Sequence, residues 1–298
     1  MLSCSIGVMA FNEEANIGYV LDALLRQRLV TCHVKEIIVV ASGCTDATER
    51  IVESIARSDP LMTLTVQRRR EGKASAINLF LSGAGGDVMV IESGDTIPDE
   101  DAIENLVRPF RDPEIGMTGA HPIPVDSEDS FMGFTSHLFW RLHHTLALNH
   151  PKLGEMIAFR NIVHAIPKDT AVDEASIEAL VTEAGYRIHY AADAIVYNKG
   201  PETIADFLKQ RRRITAGHKH LQSTRGYRVS TMSARNLMGL LGRFVKDTSW
   251  NPKRFFWTCG AVLLESWGRL LGMYDYHVKK KNPFAWDVAR STKRLKDD

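Results

Sequence analysis

Four cysteines in 298 residues, none in a pair with metal-ligand spacing, argue against a disulfide framework and a cysteine-built zinc site. Cys4, Cys32, Cys44 and Cys259 are read as free thiols. With no secretory leader ahead of them, they predict a reducing, cytoplasmic setting. A run of roughly 20 apolar residues, the length a membrane-crossing helix requires, is also missing. The best stretch, Phe255 to Tyr276, is interrupted by Glu265, Arg269 and Asp275. There is no internal repeat and no low-complexity linker, so the chain is not an array of modules. A strong net charge is lacking as well. The sum is +1, and no nucleic-acid partner is expected.

What is present is an ordinary globular composition, 44% hydrophobic and 24% charged, enough to bury a sizeable core. The near-neutral sum conceals a division. Residues 1–204 hold 17 Lys and Arg against 29 Asp and Glu, and residues 205–298 hold 20 against 7. A basic last third suits phosphates or an anionic membrane surface, or it simply keeps a helical tail soluble. The segment 255–276 mixes Trp257, Trp267, Leu263, Leu264 and Leu270 with a few charges and precedes Lys279, Lys280 and Lys281. It reads either as an amphipathic helix packed on the main domain or as one lying on the inner face of a membrane.

Short β-branched runs alternate with helical periodicity in the first half: SIGVMA, EIIVVA, the run around Leu64, and DVMVIE, each followed by a helix. Continuous apolar strands separated by helices predict a mostly parallel α/β sheet covered on both faces. Ligands of such sheets lie at the carboxyl ends of the strands. The residues there are FNEEAN, SGCTD, RRREGK and SGDT. From Glu114 to Val196 short strands and a helix over Ser130 to Leu148 should complete the sheet and form an acceptor side. From Ile204 onward the pattern is helical. The expected division is a catalytic domain over 1–225 and a helical extension over 226–298, with membrane-surface contact as one reading of the latter.

The strand-end residues carry the chemistry. Phe11 offers a ring to a base or ribose, and Glu13 a carboxylate to hydroxyls, whereas Glu14 reads better as a helix cap. Ser42 opens a small-residue turn that admits a ligand close to the backbone, with Thr45 and Asp46 as caps. Arg68, Arg69, Arg70 and Lys73 bring cations to a glycine turn at a helix N-terminus, a setting suited to a diphosphate. Asp95 ends the fourth strand, where Mg²⁺ or Mn²⁺ binds if substrate and water supply the other oxygens. Asp173 and Glu174, expected in a loop before a helix starting near Ser176, supply a general base. Of Gln210-Arg211-Arg212-Arg213 at most two arginines face one ligand. His218 follows as a structural histidine or an extra metal ligand.

In this order the segments resemble the family-2 glycosyltransferases of GT-A fold, from Ser5 to about His218. SIGVMAFNEEANIG is similar to their opening strand and nucleotide loop, EGKASAIN to their Gly-Lys motif, and VIESGDTIPDEDAI to the strand bearing the DxD metal motif. GEMIAFRN, VDEASIEALVTEAGYRIHY and FLKQRRRI are similar to the acceptor strand, the acidic base motif and the QxxRW motif. The resemblance implies an inverting transfer of a hexosyl or N-acetylhexosaminyl group from a nucleoside-diphosphate sugar, by default a UDP-sugar, to a saccharide or lipid-linked acceptor. It also implies base and ribose near Phe11, Glu13 and Ser42, pyrophosphate near Lys73 and the Arg69–Arg70 cations, and Mn²⁺ or Mg²⁺ on Asp95. Asp173 or Glu174 would be the base, and Gln210 and Arg213 would close the site. Ser93 departs from the first Asp of DxD, Ala41 and Ser42 from the nucleoside-binding Asp residues, and Ile214 from the Trp of QxxRW. The alternative to an enzyme is a catalytically silent nucleotide-sugar-binding protein of the same fold.

Overall fold

The computed structural model describes residues 1–227, 251–280 and Leu295. Nine residues with little polar interruption form β1 (Leu2–Ala10), buried on both faces from Cys4 onward. Such a strand needs neighbours on both edges and a layer on both faces. It lies between β2 (Cys32–Ser42) and β4 (Val88–Ser93), parallel to both, and β3 (Met62–Gln67) adds in parallel beyond β2. The helices that return the chain are α1 (Ile17–Leu25), α2 (Thr48–Ala56) and α3 (Lys73–Gly83). The four carboxyl ends therefore share one edge of the sheet, as the alternation of strand and helix predicts.

The second half closes the sheet with mixed polarity. Its strands are β5 (Thr96–Pro98), β6 (Ile115–Pro124), β7 (Ile157–Arg160) and β8 (Arg187–Asn198), and the order across all eight is β3-β2-β1-β4-β7-β6-β8-β5. β7 runs antiparallel to β4 and β6, whereas β6 and β8 are parallel. Between them lie α4 (Ala102–Val107), α5 (Phe131–Ala147) and α6 (Asp173–Glu183). One core layer gathers Ile6, Val8, Leu21, Val90 and Leu106. The other gathers Val40, Ile77, Phe80, Met89 and Phe159.

Two long helices follow. α7 (Ile204–Arg225) is capped by Thr203, whose side chain accepts from the Asp206 amide, and ends at left-handed Gly226. α8 (Pro252–His277) begins with Asn251 as cap and a proline in its first turn. Its buried positions are Thr258, Ala261, Glu265, Gly268, Gly272 and Asp275, a 3-4-3-4 spacing that presents Ala261 to α5 and the later small and acidic residues to α7. A Cβ on Gly272 would come within 2.6 Å of the Thr215 Cβ, so only glycine permits this approach. Glu265 and Asp275 meet Arg211 and Arg212 of α7 at 3.2 and 2.7 Å.

Apart from Trp257, which packs on Phe131 and Phe134 of α5, the large apolar residues of α8 turn outward. Leu263 is 71% exposed and Phe256 69%, and Trp267, Leu270 and Tyr274 are each about half exposed. The helix thus packs on the domain as one sequence reading held, but with its small residues inward. No described helix is long and apolar enough to cross a membrane. The remainder of the expected 226–298 extension, residues 228–250 and 281–298 apart from Leu295, lies outside the described residues.

Candidate active site

Lys73 is the first residue of α3, reached through Gly72, whose φ of 93° only glycine adopts without strain. Its ammonium lies 3.0 Å from Asp173 Oδ2 and 3.3 Å from Glu174 Oε1. Both carboxylates belong to the first turn of α6, which starts at Asp173 rather than near Ser176. The expected loop is corrected by a local turn: Thr170 Oγ1 accepts from the Val172 amide and bonds the Ser176 hydroxyl at 2.8 Å, which tightens the entry to the helix. Acidic side chains in that first turn also complement the helix dipole.

Asp95 follows β4 and is partly buried. Burial raises its pKa, against the opposing charges of Lys73 and Arg213. Arg213 is held below the usual guanidinium value by burial, and Asp173, Glu174, Glu155 and Asp95 oppose that shift. Lys73 stays protonated despite burial because Asp173 and Glu174 hold its pKa up. These mutual effects place Lys73, Asp95, Asp173, Glu174 and Arg213 around one locus.

Glu155, which the sequence reading did not single out, belongs to the same locus. It stands at φ 56° just before β7, and its Oε1 accepts from the Asn198 side-chain amide at 3.3 Å. A non-glycine residue held there is strained, a state that recurs at functional sites. Burial, then Asp95 and Glu174, push its pKa from 4.5 to about 7. Glu92 at the end of β4 is fully buried, bonded to the Thr96 hydroxyl, and burial raises it well above the usual range. In the sequence Glu92 stands with Asp95 among the carboxylates at the end of the fourth strand, whereas the one signal for Glu155 is its place in GEMIAFR.

The raised Glu155 has a measurable consequence. A carboxyl whose folded pKa exceeds its unfolded value contributes stability below the unfolded value, and that contribution is lost as pH rises through the folded one. Between 4.5 and about 7 Glu155 therefore destabilises progressively. Glu155→Gln is expected to raise the melting temperature by several degrees at pH 8 and to leave it unchanged near pH 4. Thermal denaturation across that range checks this, and parallel curves for the two proteins would contradict it.

The other expected contacts divide. The Arg70 guanidinium lies 4.1 Å from the centroid of the Phe11 ring, so a cation and an aromatic face meet at the ends of β1 and β3. Arg69 is exposed. Ser42 donates to Gln67 Oε1 at 2.6 Å, and Glu13 is buried, its Oε2 accepting from Asn16 at 3.3 Å. Glu14 Oε2 accepts from the Ala47 amide and Asp46 from that of Thr48, so both act as caps of α2. Gln210 is partly exposed on α7. Of the three arginines, Arg211 and Arg212 are committed to α8, and Arg213 alone turns to the acidic locus. The charged groups acting on His218 are Lys152 and Arg269, whereas those acting on Asp95 are Lys73 and Arg213.

Residues 5–180 match the family model described as Glycosyl transferase family 2. The poly-beta-1,6-N-acetyl-D-glucosamine synthase of Staphylococcus aureus strain COL is 26% identical over 220 residues, 70% of this chain and 52% of that protein. The prophage bactoprenol glucosyl transferase homolog of Escherichia coli K12 is 26% identical over 156 residues, 52% of this chain and 50% of its own length. This chain thus spans about half the length of the curated relatives it matches. Among solved structures, the mannosyltransferase PcManGT of Pyrobaculum calidifontis, in complex with GDP-Man and Mn²⁺, superposes with a TM-score of 0.66 at 20% identity, covering 93% of this chain and 88% of that one. Glucosyl-3-phosphoglycerate synthase of Mycobacterium tuberculosis, with Mn²⁺, UDP and phosphoglyceric acid, gives 0.53 at 20% identity over 74% of this chain and 78% of its own. The shared fold is the GT-A sheet.

Proposed function

Because this chain belongs to glycosyl transferase family 2 and is a glycosyltransferase, we propose that it moves one sugar from a nucleoside-diphosphate sugar to an acceptor hydroxyl with inversion. The observation that carries this reading is the convergence of Lys73, Arg213, Asp95 and the Asp173–Glu174 pair at the shared strand-end locus. Lys73 and Arg213 face the diphosphate, with Arg70 and Phe11 toward the nucleoside. Glu174 takes the acceptor proton, the acceptor oxygen forms its bond to the anomeric carbon, and the bond from that carbon to the diphosphate breaks. The leaving nucleotide keeps the electron pair, and the two cations meet the charge that develops on it.

A divalent ion fits this locus in one way. Among the described residues no three His, Cys, Asp or Glu side chains form a metal-holding group. Asp95 would therefore share the ion with diphosphate oxygens and water, a coordination that Mg²⁺ and Mn²⁺ favour. Asp95, Asp173 and Glu174, joined by Glu155 when it is ionised, outnumber Lys73 and Arg213, and that excess of negative charge favours a further cation. When bound, the ion supplies Lewis-acid charge to the leaving diphosphate. The structural neighbours solved with Mn²⁺ and GDP-Man, or with Mn²⁺ and UDP, support the same assignment, and UDP is the default base.

The test is a screen of nucleotide sugars with Mn²⁺, followed by NMR of the product's anomeric configuration. Free nucleotide together with a product of inverted configuration is expected. Retained configuration overturns the inverting step. Binding without nucleotide release would leave the silent-binder reading, which Ser93 in place of an aspartate motivates.

The reading extends to a saccharide or lipid-linked acceptor met at an anionic membrane surface. The support is the outward apolar face of α8, flanked by exposed Lys253, Arg254, Lys279 and Lys280. Leu263→Ser with Trp267→Ser is expected to weaken sedimentation with phosphatidylglycerol vesicles by about tenfold or more, given the 1.5–3 kcal/mol typical of burying one such side chain. Equal sedimentation of wild type and variant, or none of the wild type at low salt, would remove the membrane from the account.

A further inference from the structure

Asn16 precedes the first turn of α1, the position at which an asparagine side chain ordinarily accepts from an amide of the helix it opens. Its side chain makes no such bond. Asn16 is 1% exposed, and both ends of its side-chain amide are engaged elsewhere. The Nδ2 group donates to Glu13 Oε2 at 3.3 Å. Oδ1 accepts from the backbone amide of Leu295 at 3.0 Å, across 279 positions of sequence. The cap has been given up for a bond to a residue that follows α8 in the chain.

Leu295 is itself seated. It is 7% exposed and lines a groove of about 270 Å³ with Tyr19 of α1, Ile97 of β5, Val125 just after β6 and Tyr197 of β8. Removing this leucine from water supplies the free energy that holds its amide against Asn16. Glu13 carries the contact on to the donor edge. It is buried, its amide donates to the Thr48 hydroxyl at 2.8 Å, and its carboxylate takes the Asn16 bond. Glu13 also packs on the turn that bears Asp95. A Cβ added to Gly94 would stand 2.9 Å from Glu13 Cγ, and the Gly94 amide donates to the Met9 carbonyl at 3.0 Å. Leu295, Asn16, Glu13 and Gly94 thus touch in series, ending one residue before Asp95.

We propose that Leu295 is a positioning residue for the donor. Its amide fixes Asn16, Asn16 fixes the Glu13 carboxylate, and Glu13 is thereby held against the turn that brings Asp95 to the diphosphate and its ion. The inference rests on the glycosyl-transfer reading and adds to it a residue outside the sheet. Two binding events joined through shared contacts are coupled reciprocally. The donor therefore binds more tightly when Leu295 is seated, and Leu295 is seated more tightly when the donor is bound.

The experiment measures UDP binding by calorimetry with Mn²⁺ at saturation, and donor KM and kcat, on the full chain and three variants. Leu295→Pro removes the amide donor, Leu295→Asp removes the apolar side chain, and Leu295→Met keeps both. The first two are expected to raise the UDP Kd and the donor KM about fivefold, the low end of couplings between sites, with kcat at saturating donor unchanged. Leu295→Met should match wild type. Hydrogen exchange gives a second readout that needs no substitution. Exchange of the Leu295 amide is expected to slow about fivefold when UDP and Mn²⁺ are added, by the same reciprocity. Equal UDP affinity in all four proteins, a loss of kcat with KM unchanged, or Leu295 exchange indifferent to UDP overturns the proposal. If wild type binds UDP, that failure leaves the donor reading standing. A wild type that binds neither UDP nor GDP overturns the donor reading and this coupling with it.

Discussion

Replacing Asp95 with alanine is expected to reduce sugar transfer by about a hundred- to ten-thousand-fold while the melting temperature holds or rises. The factor follows from the several kcal/mol of leaving-group stabilisation that a divalent ion supplies, each 1.36 kcal/mol being tenfold. The stability expectation follows from burial. Asp95 is raised by desolvation, so its ionised form destabilises the fold at neutral pH and its removal relieves that. Opposite directions for activity and stability separate a ligand from a structural residue. Mn²⁺-dependent UDP binding should vanish in the variant, and calorimetry with and without the ion measures it. Full turnover in Asp95→Ala would remove the ion from the mechanism.

The acidic pair should split by exposure. The side chain of Glu174 is 25% exposed and that of Asp173 only 6%, though both meet Lys73. On the proposed reading the acceptor therefore reaches Glu174, and Asp173 positions the lysine. Glu174→Gln is expected to lower kcat by about a hundred- to ten-thousand-fold with the donor KM unchanged, the range for losing a general base. Asp173→Asn should raise the donor KM and lower kcat less, because a loosened ammonium no longer meets the diphosphate squarely. Steady-state kinetics on both variants decides. A larger kcat loss in Asp173→Asn than in Glu174→Gln would reverse the assignment.

The donor edge was legible because a parallel sheet turns sequence order into spatial order. Four apolar strands returned by helices must bring Phe11, Ser42, Lys73 and Asp95 to one edge. What stayed hidden depended on partners distant in sequence. Glu155 joins the locus from a left-handed backbone position just before β7, and nothing in GEMIAFR announces that conformation. Arg211 and Arg212 could not be sorted from Arg213 until Glu265 and Asp275, more than fifty residues on, were seen against α7. The same holds for α8, where large apolar and small residues occupy opposite faces. Hydrophobicity alone would bury the wrong one. The start of α6 was missed by three residues because hydroxyl bonds around Thr170, rather than propensity, set it.

A crystal structure of the protein grown with UDP and Mn²⁺ would show where the diphosphate lies. The account predicts its oxygens between an ion on Asp95 and the Lys73 ammonium, with Arg213 alongside and Glu174 facing the open side. A nucleotide bound elsewhere on the sheet, with Asp95 and Lys73 touching neither phosphate nor ion, would contradict it.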